Sequence, residues 1–130
     1  MTRGAKVGWV ILVVSTVLGF LAAVVLIVSP TSILVEPAFA AGNVPGALRA
    51  WGATWMFFSV LELVILFRSF RQGEPWAWWV SWLLPLLWLS HFVFNPATVH
   101  NLVIAVVTAV GLILSYRAFF SSGGRPTHTS

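Results

Sequence analysis

The chain has 130 residues, 59% hydrophobic and 8% charged, with a net charge of +4. A soluble domain carries about 25% charged residues. The composition therefore excludes an ordinary soluble domain, a disordered chain and a nucleic-acid module, and implies an integral membrane protein. No cysteine is present, so disulfides, thiol catalysis and Cys-based metal sites are ruled out.

Four stretches reach the length of about 20 apolar residues that crosses a bilayer. The first runs from about Val7 to Val28 without a charge, and Ser15, Gly19 and Ala23 form a small-residue row along it. Arg3 and Lys6 precede it, and Ala38-Phe39-Ala40 follows as an A-x-A triplet. The apolar run is longer than the 7–15 residues of a signal h-region, so a retained span is expected. Ser29 to Gly46 holds three prolines and two glycines. It is expected at the interface, with a short helix near Ile33 to Ala41.

The second span covers about Ala47 to Phe67 and contains Glu62. Gly73-Glu74-Pro75 separates it from the third, about Trp76 to Phe94, and Pro75 suits a first helical position. Asn95-Pro96 leads to the fourth, about Val99 to Phe119. Here Asn95 is expected as the N-cap and Pro96 as the first helical residue. Asn101, Ala105, Thr108, Gly111 and Ser115 form a small, partly polar row on this last span. That row is suited to packing against the row of span one, or to a homodimer face. The Gly/Ser/Thr-rich tail, Ser121 to Ser130, is expected to be disordered.

The short links make spans two, three and four antiparallel neighbours. The fold class is thus all-α, an antiparallel four-helix transmembrane bundle. Arg3, Lys6, Arg68, Arg71, Arg117 and Arg125 fall on one side and Arg49 on the other. Positive residues favour the cytoplasmic side, so both termini are expected there, with the protein in the inner (plasma) membrane.

Glu62 is the one formal charge deep in a span. An ionised carboxylate facing lipid costs several kcal/mol, so it must face the bundle. Trp51, Trp55, Phe58, Ser59 and Leu66 share its helical face. Pro85 frees the carbonyl of Ser81 at a similar depth, and Thr108 on span four reaches the same level. Glu62, Ser81, Trp51, Trp55 and Thr108 are therefore one candidate ligand or proton site. The alternative reading is a carboxyl that ties two helices together.

A second cluster lies near the outer boundary: Arg49, His91, Asn95, His100 and Asn101. It is either a headgroup or anionic-ligand site, or an interfacial hydrogen-bond cluster closing the bundle. Trp76, Trp78 and Trp79 are expected as an aromatic belt at the inner boundary, with Trp9 doing the same for span one. Trp82 and Trp88 lie deeper.

The segments Leu48-Arg49-Ala50-Trp51-Gly52 and Arg71-Gln72-Gly73-Glu74-Pro75-Trp76-Ala77-Trp78-Trp79 resemble those of small bacterial four-helix membrane proteins that are loosely similar to the DoxX-like group. That resemblance implies the four-span topology and supplies no reaction. No nucleophile–base pair, metal set, cofactor motif or phosphate loop is recognisable. The expected role is a non-enzymatic membrane component or accessory subunit. Its partners are the lipid bilayer and either further copies of itself or a larger membrane complex. The rival is binding, proton-coupled transport or chemistry on a small apolar ligand at Glu62. Nucleic acid is not expected as a partner.

Overall fold

The computed structural model describes residues 1–29 and 45–121. The expected interfacial helix near 33–41 and almost all of the tail lie outside the described residues. Four helical spans are long and apolar enough to cross a membrane: Arg3–Val28, Gly46–Phe70, Pro75–Phe94 and Val99–Phe120. The described residues contain no strand.

Helix α1 (Arg3–Val28) starts earlier than its apolar run because Thr2 caps it, its hydroxyl accepting from the Ala5 N–H at 3.2 Å. Helix α2 (Pro45–Ile65) continues as a π-helical turn over Leu66–Phe70. The chain then reverses through Gly73, whose φ of +74° is open to glycine at little cost.

Pro75 opens helix α3 (Pro75–Ser81), as expected. The third span is then interrupted at Trp82 before helix α4 (Leu83–Phe94). Pro85 is the physical cause, because it has no N–H for the Ser81 carbonyl and its ring crowds that turn.

The link to helix α5 (Val99–Phe120) differs from the expectation. Asn95 caps the end of α4, and Thr98 is the N-cap of α5. The Thr98 N–H donates to the Asn95 carbonyl at 3.0 Å. This closes a four-residue turn with Pro96 in its second position, where a fixed φ is favoured. Pro96 therefore shapes the turn and does not start the helix.

The small-residue row of α5 meets α1 at Gly8 and Ser15, whereas Gly19 and Ala23, expected in the same contact, lie against Trp55 and Gly52 of α2. Gly4 lies against Leu114 and Gly8 against Gly111, and the hydroxyls of Ser15 and Thr108 share a hydrogen bond at 3.0 Å. Numbers rise along one helix as they fall along the other, so the pair is antiparallel. Helices α1 and α2 are antiparallel too: the Trp9 indole N–H donates to the Leu66 carbonyl at 2.7 Å, and Gly19 lies under Trp55.

Backbones approach closely between α1 and α2, α1 and α5, and α4 and α5, but not between α2 and α4. Large rings fill that last interval. Trp55 meets Trp88 edge-on with centroids 5.2 Å apart.

One end of the molecule gathers Arg3, Lys6, Arg68, Arg71 and Arg117, and Arg71 stands 5.5 Å over the Trp9 ring. We call this the basic end. At it, Phe70 and Phe119 pack edge to face at 4.7 Å. Trp78 does not join a lipid-facing belt. It is buried, and its indole N–H donates to the Leu112 carbonyl at 2.9 Å. Trp76 and Trp79 remain exposed. Successive helical residues turn by about 100°, so a Trp-x-Trp-Trp cluster cannot keep every ring on one face.

Candidate functional site: a cavity at the far end

The end opposite the basic one contains a cavity of about 430 Å³. Helix α1 contributes Leu18, Ala22 and Val25, and α5 contributes Ile104. Trp51 and Trp55 come from α2, and Trp88 and His91 from α4. Asn95, Thr98, His100 and Asn101 complete the lining from the turn and the start of α5.

These positions converge because helical spacing repeats them on one face. Trp51 and Trp55 are four apart on α2, and Trp88, His91 and Asn95 are three or four apart along α4. The rings pack together. His91 lies 4.9 Å from Trp51 and 4.7 Å from Trp55, with its plane tilted by about 35° to both.

The chemistry of His91 is fixed by its own helix. Its Nδ1 lies 2.7 Å from the Leu87 carbonyl. A carbonyl only accepts, so Nδ1 carries the proton. In the neutral ring Nε2 is then the acceptor, and it has no partner. At the turn, Asn101 Nδ2 donates to the Thr98 hydroxyl at 2.9 Å, and that hydroxyl donates to the Asn95 carbonyl at 2.7 Å. The described lining residues carry no formal charge apart from what the two histidines take up.

The structure divides the two candidate clusters differently from the sequence reading. His91, Asn95, His100 and Asn101 do share one cavity. Arg49 is exposed and does not line it. Trp51 and Trp55 belong to this cavity and lie two to three turns from Glu62.

Glu62 itself is 2% exposed, with Ser81 beside it. The pair does not close a hydrogen bond of normal geometry, since Glu62 Oε1 and Ser81 Oγ both lack a partner. Thr108 is spent elsewhere, on Ser15 and on the Ile104 carbonyl at 2.6 Å. Among the described residues no three of His, Asp and Glu gather as metal ligands would.

Sequence reasoning missed the contribution of α1 to the cavity. Leu18, Ala22 and Val25 are ordinary span residues, and no signal marks them out. No protein-family model, curated protein or solved structure matches this chain.

Proposed function

We propose that this is a multi-pass membrane protein with both termini on the cytoplasmic side. On this reading it is a non-enzymatic component that holds a small, uncharged, mostly apolar molecule in the far-end cavity. The sidedness is supported by five basic residues at one end against Arg49 at the other.

The binding reading is carried by the cavity. Its volume falls in the range of about 300–1,000 Å³ usual for ligand sites, and such sites are mostly apolar with a few polar groups. Three indole rings and His91 supply the wall. Asn95, Thr98, His100 and Asn101 supply hydrogen bonds at one end. With no fixed cation in the described lining, an anionic headgroup has no counter-charge, whereas a hydroxyl finds both donors and acceptors. A long-chain alcohol is the simplest molecule of this class.

The test is native mass spectrometry of the purified protein with a fatty alcohol and with the fatty acid of equal length. The alcohol is expected to be retained in preference. Ala22→Phe, which places a ring in the cavity, should abolish retention without loss of fold. Equal retention by the wild type and Ala22→Phe would refute the site, and preference for the acid would refute the ligand class.

A further inference from the structure

The wall of the far-end cavity is covered unequally. Among its described residues, Leu18 and Leu21 of α1 are 47% and 54% exposed, and His100 at the start of α5 is exposed as well. Trp55 and Trp88, from α2 and α4, are buried, and Trp51 and His91 are half-buried. The open side of the cavity therefore lies between α1 and α5.

The small residues of α1 explain why these two helices part. From Ser15 to Gly19 to Ala23, each step of four residues turns the row by about 40° at 100° per residue. Ser15 is still bonded to Thr108 of α5, but Gly19 lies under Trp55 and Ala23 against Gly52. Past Ser15 the close contacts of α1 thus pass from α5 to α2. Ala22 of α1 and Ile104 of α5 both become cavity wall. Toward the basic end the pair is shut, with Gly4 at Leu114 and Gly8 at Gly111. The Ser15–Thr108 hydrogen bond is the floor of the slot.

Depth decides what can use this slot. Leu18 lies ten residues before Val28, the last residue of α1, which is about 15 Å at 1.5 Å per residue. That is half of a hydrocarbon core about 30 Å thick. The slot therefore faces lipid tails, from the far-end boundary down to the bilayer midplane, and its exposed α1 edge is leucine. The polar groups of the cavity, Asn95, Thr98, His100 and Asn101, stand at the boundary instead.

We propose that the cavity takes a neutral single-chain lipid sideways from the far-end leaflet, with its hydroxyl at the Thr98 turn and its chain running out between α1 and α5. This rests on the ligand class proposed above and adds the source and the pose of the molecule. The pose is the same whichever leaflet the far end occupies.

Two photoreactive long-chain alcohols test it in vesicles, one with a diazirine beside the hydroxyl carbon and one with it at the chain end. Labelled positions are read by peptide mass spectrometry, with the unmodified alcohol as competitor. The head probe is expected on residues 95–101. The chain-end probe is expected on residues 18–21 and 104–107. Both labels should fall about tenfold once the competitor reaches about ten times its Kd. Label on Val60 and Leu61, which are exposed on α2 away from the cavity, should not respond to the competitor.

A competed chain-end label on Trp55 or Trp88 in place of residues 18–21 would mean an enclosed chain. It would overturn the slot and leave the cavity as a binding site. Chain-end label on residues 18–21 that the competitor does not reduce would be ordinary lipid contact and would overturn the slot too. Exchanged positions for the two probes would overturn the pose. Equal retention of the alcohol by the wild type and Ala22→Phe would refute the cavity reading itself, and the slot would fall with it.

Discussion

A Cβ on Gly8 would stand 2.2 Å from the carbonyl oxygen of Gly111. Real Cβ contacts do not come that close, and the atom met is backbone, so α1 and α5 would have to separate. Helix approach in a membrane rests on such small residues. Gly8→Ala is expected to destabilise by about 1–3 kcal/mol, the usual cost of overpacking. Gly46→Ala is the control, since a Cβ there meets nothing within 4 Å. Thermal unfolding in nanodiscs would separate the two. A silent Gly8→Ala would mean that the pair is not in contact.

Trp78 and Trp79 form a second matched pair. Trp78 donates its indole N–H across to the Leu112 carbonyl, while Trp79 is 63% exposed. Trp78→Phe keeps a ring but loses the donor, and should cost about 1 kcal/mol. Trp79→Phe should change stability by less than about 0.5 kcal/mol. If Trp79→Phe proved the more damaging, the burial of Trp78 would be wrong.

Glu62 gives an outcome of opposite sign. Its Oε1 has no partner and Ser81 does not bond to it within normal geometry, so it is a poor tie between helices. Glu62→Leu should raise stability by about 1 kcal/mol, because a well-packed apolar group replaces a buried polar one. Glu62→Gln should be nearly neutral. A loss of several kcal/mol in both variants would instead identify Glu62 as a structural hydrogen-bonder.

Thr98 holds the far-end turn from both sides, donating to the Asn95 carbonyl and accepting from Asn101. Thr98→Ala leaves the buried Asn101 amide short of an acceptor and should cost about 1–2 kcal/mol. Thr98→Ser retains both bonds and should cost less than half as much. The comparison is read from amide exchange in the first turn of α5.

The four spans were legible because a bilayer imposes a length and a composition that few other structures satisfy. The Ser15–Thr108 contact between the first and last spans was legible too, since small residues recur at helical spacing, but Gly19 and Ala23 of the same row turn to α2. Burial of Trp78 was not, because three neighbouring tryptophans differ only in helical phase, and phase is set by partners the linear sequence does not reveal. Likewise Trp51, Trp55 and Glu62 share a face of α2, so spacing alone groups them. Depth separates them, and the rings that decide the matter, Trp88 and His91, come from another span. The start of α5 was misread because Asn-Pro fits a helix N-terminus and a tight turn equally well. The Thr98 hydroxyl, bonded on both sides, selects the turn.

The π turn at Leu66–Phe70 has no residue signature, yet it sets the phase of everything before it. A π turn is in effect one residue more than an α-helix needs over that length. Below it the chain is anchored by Phe70 against Phe119 and by the Gly73 reversal. Deleting a single residue from the turn would restore regular helix and rotate the rest of α2 by about 100° against that anchor. Composition and hydropathy would hardly change. Glu62 would nevertheless swing from the interior toward lipid, and Trp55 would leave both Gly19 and His91. One surplus residue thus acts as the angular offset by which a featureless apolar helix aims its single acid.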